Sequence, residues 1–215
     1  MKWIATLSAV ALIGLAATWA DEPKPYKPKP GETIVKMTIK DKGDIYIRLN
    51  LKEAPKTCEN FLKLVKEKFY DGIRFHRVVP RFVVQAGDPI TKDPNVSLND
   101  PRVGTGGPGY TIKFEPNNLK HTRGAIGMAR TPDPDSAGSQ FYICLEPQPQ
   151  LDGHYVIFGE VVQGMEIVDR IQRGDVILKA VVLQEAKPKE SPKESSNKSD
   201  DAKKSDKPNR GGKKP

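Results

Sequence analysis

The 215-residue chain is poor in the residues that most enzymes and stapled scaffolds rely on. It has two cysteines, Cys58 and Cys144, and three histidines, His76, His121 and His154. Two thiols exclude a disulfide framework; at most one bridge can form. Whether the two pair is left open by their spacing alone, although Cys58 falls on the apolar face of a predicted helix, where a buried free thiol is ordinary. The histidines lie too far apart to give a metal-ligand spacing and read as structural. Ser139 follows Gly138, but Gln140 stands where a nucleophile elbow needs its glycine spacing. Hydrophobic residues reach only 37%, below the globular norm.

Charge is plentiful but unevenly placed. The formal net charge is +8, of which +2 lies in residues 1–30, +5 in residues 186–215, and only +1 in the 155 residues between. A basic chain invites a nucleic-acid reading, yet the basicity belongs to the ends. Residues 186–215 contain no aromatic, Ile, Leu or Val. Such a segment cannot offset its ordering entropy, and it lacks the rings on which bases stack. It is expected to be a disordered tail with no specific nucleic-acid partner. Residues 1–20 combine Lys2, the apolar run Ile4 to Ala17, and Thr18-Trp19-Ala20 ahead of Asp21. This reads as a secretory signal peptide, with an uncleaved anchor as the rival. Once the leader is removed no membrane span is expected, and the protein is placed in the periplasm or outside the cell. Residues 21–32, with prolines among lysines, read as a stiff spacer.

Residues 33–185 read as one strand-rich domain. Val35, Met37 and Ile39 alternate, then Ile45, Ile47 and Leu49, with Lys42-Gly43 between them: a hairpin. Pro55 opens a helix whose apolar face is Cys58, Phe61, Leu62, Val65 and Phe69, with Gly72 ending it. Short strands are expected at 73–79, 82–86, 125–129, 140–145, 156–162 and 176–184, another around 110–114, and a second helix at 165–171. Many short strands punctuated by Gly and Pro point to a barrel or sandwich. Gly104 to Gly109 matches G-x-G-x-x-G, but no buried strand precedes it and no helix follows, so it reads as a structural loop. Asp133 to Gly138 resembles the start of a calcium loop whose twelfth position would be Cys144, which argues against calcium.

Four segments in order resemble the cyclophilin family of peptidyl-prolyl isomerases. They are Phe75-His-Arg77 through Phe82-Val-Val-Gln85 to Asp88, the Gly104–Gly109 loop, Gly127-Met-Ala129 with Gly138-Ser-Gln140-Phe-Tyr142, and Leu151-Asp-Gly153 with Val156-Ile-Phe-Gly159. The resemblance implies a mainly β fold, an eight-stranded antiparallel closed barrel capped by two helices, and rotation of X–Pro bonds during folding of exported proteins, with no cofactor or metal. It implies that Arg77, Phe82 and Gln85 are catalytic. It also implies that Val83, Tyr142 and Leu151 line a proline pocket and that Ala129, Arg130, Thr131 and Gln140 cradle the residues before proline, with Gln150 and Tyr155 at the pocket's rim. Period two puts Val83 with Gln85, and Gln140 with Tyr142, on common strand faces. The chain departs from the best-known members at Val83 (Met there), Tyr142 (Phe), Gln150 (Trp), Tyr155 (His) and Arg130 (Asn). Loss of the Trp implies weak cyclosporin binding. A monomer is expected, with proline-containing polypeptides as substrates; a holdase without turnover, and a tether acting through its tail, are the rivals.

Overall fold

The structure is a computed structural model that describes residues 25–186; the leader, the first part of the spacer and all but the start of the tail lie outside the described residues. Eight strands form one antiparallel sheet: β1 (Thr33–Ile39), β2 (Gly43–Leu49), β3 (Arg77–Val79), β4 (Val83–Ala86), β5 (Ala125–Met128), β6 (Phe141–Cys144), β7 (Ile157–Gln163) and β8 (Ile177–Gln184). Their order across the sheet is β3-β4-β6-β5-β7-β2-β1-β8. The β1–β2 hairpin pairs Val35 with Ile47 and Met37 with Ile45, and turns through Asp41 and Gly43, both at positive φ.

The sheet curls around one core but does not close along its length, which corrects the expectation of a closed barrel. Its two ends, β3 and β8, meet through a single antiparallel bridge between Arg74 and Val176, flanked by backbone bonds such as Gly72 N–H to Ile177 and Phe75 N–H to Asp175. The reason is local. The chain reaches β3 through bends at Lys68 (φ +56°) and Gly72 (φ +84°), so contact with the β8 end is confined to residues 72–75, with Arg74 as the one bridge pair, and the strand proper begins at Arg77. The expected strand at 110–114 likewise reduces to one bridge, Ile112 to Ala137.

Helix α1 (Pro55–Lys66) turns Cys58, Phe61, Leu62 and Val65 into the core, as the spacing requires. It ends at Lys66 rather than Gly72, because Lys68 adopts the left-handed conformation and the Phe69 N–H returns to the Leu64 carbonyl. Phe61 meets Tyr70, Phe141 and Phe158 at ring-centroid distances of 5.0, 5.7 and 5.1 Å. Helix α2 (Met165–Val168) is a single turn, shorter than expected. No helix among the described residues is long and apolar enough to cross a membrane.

Residues 25–32 lie along the sheet. The Tyr26 ring faces Tyr46 at 5.8 Å and its hydroxyl donates to Glu32, which also accepts from the Lys29 N–H and from Arg48. The two sides of β6 serve different ends. Phe141 and Ile143 join the main core, whereas Tyr142 and Cys144 join a second, smaller cluster with Val83, Ala125 and Ile157 on the outside of the sheet. Cys58 belongs to the first cluster and Cys144 to the second, so the thiols are buried on opposite sides and both are free. Burial pushes each thiol up to about 12, leaving both protonated and inert.

Candidate active site

The outer cluster opens into a cavity of about 280 Å³ lined by Arg77, Phe82, Val83, Gln85, Ala129, Arg130, Tyr142, Leu151 and Tyr155. Strand register assembles it. Arg77 on β3 is opposite Gln85 on β4, Gln85 is opposite Tyr142 on β6, and Tyr142 is opposite Gly127 on β5. One row of side chains across four strands therefore carries a guanidinium, an amide and a phenol. Gly127 completes the row by having no side chain: a Cβ there would sit inside the Tyr142 ring. The β3–β4 turn sets the first step, with Pro80 and then Arg81 at φ +61°, and the Phe82 N–H bonded to the Val79 carbonyl.

Arg77 is exposed at the cavity mouth. Its Nη1 donates to Gln85 Oε1 at 3.4 Å, and its guanidinium carbon stands 5.4 Å from the Phe82 ring centre. A cation over an aromatic face is attracted by the ring quadrupole and held in direction. Gln85 Nε2 then donates to Gln140 Oε1 at 3.0 Å, and Gln140 Nε2 to the Gly104 and Gly106 carbonyls at 3.0 and 2.8 Å. This chain of amides fixes the direction of each carbonyl and N–H along the groove.

The glycine loop is pinned from its other side. Buried Asp88 accepts from the N–H groups of Gly104, Gly106 and Ile90. Gly106 has to be glycine, since a Cβ would overlap the Asp88 carboxylate. The loop is structural, as its sequence context indicates, and it walls a second cavity of about 450 Å³ that also includes Gln85, Ala129, Arg130, Thr131 and Gln140. The two cavities share Gln85, Ala129 and Arg130, so they form one bent groove. Thr131 is exposed, with its N–H and hydroxyl both bonded to Ser136 Oγ.

Two residues depart from what their sequence position suggests. Gln150 lines neither cavity; on the turn Pro149–Leu151 its amide bends back to Gln148 Oε1 at 2.7 Å. Arg130, where the resemblance implies an Asn, brings a charged side chain to the groove wall. Its guanidinium stacks 4.7 Å from the Tyr155 ring centre and donates to the carbonyls of His154, Thr131 and Pro132.

His121 lines neither cavity but is buried behind the floor residue Tyr142, a structural place in keeping with its sequence context. Its Nε2 lies 2.8 Å from the Tyr142 hydroxyl, and its Nδ1 lies 2.9 Å from Asp152 Oδ1. Hydrogen bonds from the His121 backbone N–H and ring, with Lys120 nearby, hold the Asp152 carboxyl at about 2. An ionised carboxylate only accepts, so Nδ1 carries the proton and Nε2 accepts from Tyr142. Burial lowers the His121 pKa and keeps the ring neutral, and burial raises that of Tyr142. A signal existed in the sequence: a tyrosine where the resemblance implies phenylalanine needs a partner for a buried hydroxyl. His76, beside Arg77, is also buried and neutral, with no hydrogen-bond partner for its ring nitrogens among the described residues.

No cluster of three or more His, Cys, Asp or Glu able to hold a metal occurs among the described residues. The site offers no activated nucleophile either. What it offers is a charged donor, an aligned amide row and an apolar recess, suited to gripping a peptide and altering its electronic structure without breaking bonds.

Comparison with known proteins agrees. The family model described as cyclophilin type peptidyl-prolyl cis-trans isomerase/CLD matches residues 34–193. A peptidyl-prolyl cis-trans isomerase of Helicobacter pylori is 42% identical over 149 residues, 67% of this chain and 84% of its own length. Peptidyl-prolyl cis-trans isomerase B of Bacillus subtilis is 44% identical over 141 residues, 65% of this chain and 90% of its own. A crystal structure of a cyclophilin-type isomerase from Cryptosporidium parvum superposes with a TM-score of 0.62 at 28% identity, covering 72% of this chain and 99% of that one. With the family matched across the whole strand-rich domain, the chain belongs to the cyclophilin-type peptidyl-prolyl cis-trans isomerases.

Proposed function

We propose that this isomerase accelerates X–Pro rotation in exported polypeptides, with Arg77 as its catalytic group. Twisting a peptide bond costs about 18–20 kcal/mol because resonance gives it double-bond character. In the twisted state the prolyl nitrogen regains its lone pair, which a guanidinium N–H can meet; that interaction is absent from the planar ground state and so lowers the barrier. A guanidinium supplies such N–H donors in a rigid fork. Phe82, Val83, Tyr142 and Leu151 hold the proline ring, Gln85 bonds the substrate backbone, and Ala129, Arg130, Thr131 and Gln140 receive the residues before proline. A millionfold acceleration needs about 8 kcal/mol, while one charged hydrogen bond supplies about 1.5–3 kcal/mol. Restraint and desolvation in the recess supply the remainder. No covalent bond breaks, so the reaction calls for neither metal nor cofactor.

The observation that carries this reading is the position of the Arg77 guanidinium at the mouth of the apolar recess, held between Gln85 and the Phe82 ring. The Cryptosporidium isomerase has also been crystallised in the presence of the dipeptide Ala-Pro, which supports a peptide-proline ligand. An assay on a short Ala-Pro peptide tests it: Arg77→Ala should lower kcat about ten- to hundredfold with little change in KM, and an unchanged kcat removes Arg77 from the mechanism. Export rests on the sequence of residues 1–20, and the enzyme is proposed to act as a monomer in the periplasm or outside the cell. Weak inhibition by cyclosporin A is proposed from Gln150, which presents no indole to the recess; potent inhibition would contradict it.

A further inference from the structure

Among the described residues the groove is lined by cations and by no anion. Among the residues lining its two cavities the charged ones are Arg77 and Arg130. Every hydrogen bond of the Arg130 guanidinium goes to a backbone carbonyl of His154, Thr131 or Pro132, and it is flanked by the rings of Tyr155 and Phe114, at 4.7 and 5.8 Å. These contacts fix the direction of the guanidinium. Of the neighbouring carboxylates, Asp135 pairs with Lys113, Asp152 with His121 and Lys120, and Asp133 accepts the Asp135 N–H; among the described residues none of the three accepts a hydrogen bond from Arg130.

We propose that Arg130 is a specificity-determining residue, making this enzyme favour substrates with Asp or Glu in the two positions before proline. The inference rests on the placement of those positions along Ala129, Arg130, Thr131 and Gln140 proposed above. A peptide whose proline fills the apolar recess must cross the shared wall at Arg130 to enter the second cavity. Because four of the five Arg130 N–H donors are taken by backbone carbonyls, selection works mainly through its field. It is therefore modest and salt-sensitive.

The test is kcat/KM for tetrapeptides carrying Glu, Gln or Lys one or two residues before proline, at low and high salt, with the wild type, Arg130→Gln and Arg130→Lys. At low salt the wild type should rank Glu over Gln over Lys by about two- to fivefold per step at one of the two positions. High salt should compress the series, Arg130→Gln should level it, and Arg130→Lys should keep its order. A flat wild-type series at both positions overturns the assignment, as does a series that Arg130→Gln leaves intact. Should Arg130→Gln not fold, the wild-type salt series and Arg130→Lys decide. Turnover of the Gln peptides separates the two ideas: a flat series with good turnover removes only the selectivity, whereas no turnover of any peptide removes the isomerase site with it.

Discussion

The hydroxyl of Tyr142 turns an apolar pocket floor into the end of a buried polar chain, Tyr142–His121–Asp152. Removing it in Tyr142→Phe leaves His121 Nε2 buried without a donor, and chemical denaturation should show a loss of about 1–3 kcal/mol. An unchanged midpoint would mean that the hydroxyl contributes nothing net. Titration adds a second readout. His121 and His76 have pKa values depressed by burial below the ordinary 6.5, so the unfolded chain takes up their protons first. Their stability contribution is complete above pH 6.5 and declines as pH falls toward their folded values. A separate decline belongs to Asp152, between its ordinary 3.8 and about 2. Denaturation midpoints measured across pH should show both windows, and His121→Gln should shrink the upper one; a midpoint flat from pH 7 to 5 would contradict it. At this scale strand alternation made the shared faces legible in the sequence, Val83 with Gln85 and Gln140 with Tyr142. The row from Arg77 through Gln85 to Tyr142 was not, because register across strands is set by turns and long-range pairing that no local spacing encodes.

At the level of elements, three substitutions probe how the site is held. Helix α1 has no side-chain cap of its own; Glu115, from a distant loop, accepts the N–H groups of Lys56 and Thr57 and the Thr57 hydroxyl. Glu115→Ala should cost about 1–2 kcal/mol, as loss of an N-cap does, because orphan donors and the helix dipole lose their anion. Arg81 sits at φ +61°, a region that disfavours side chains, and its ion pair with Glu146 is largely exposed. Arg81→Gly should therefore raise stability by about 0.5–1 kcal/mol, the relief of strain outweighing the entropy of glycine; a lowered midpoint would show the ion pair dominating. Gly127→Ala would drive the Tyr142 ring off its seat, costing about 1–3 kcal/mol and lowering kcat/KM together. The hairpin and the α1 face were readable because periodicity alone decides them. The end of α1 was not, since Lys68 takes a left-handed conformation that glycine more often signals, and the open sheet seam was not, since it depends on how residues 68–76 bend.

For the whole molecule, charge is partitioned between the ends and the middle. The domain between residues 31 and 185 carries a net +1, while the ends carry the remainder of the +8. The proposal that the chain is exported predicts that the mature protein begins at Asp21; an N-terminus at Met1 would instead favour an anchored chain. The central claim is that an Arg77-centred groove turns the X–Pro bond. Exchange NMR on an Ala-Pro peptide with a substoichiometric amount of enzyme tests it most directly. Wild-type protein should produce cis–trans exchange peaks, and Arg77→Ala should weaken them about ten- to hundredfold in rate; exchange by Arg77→Ala as fast as wild type, or none above buffer by either, would contradict the account.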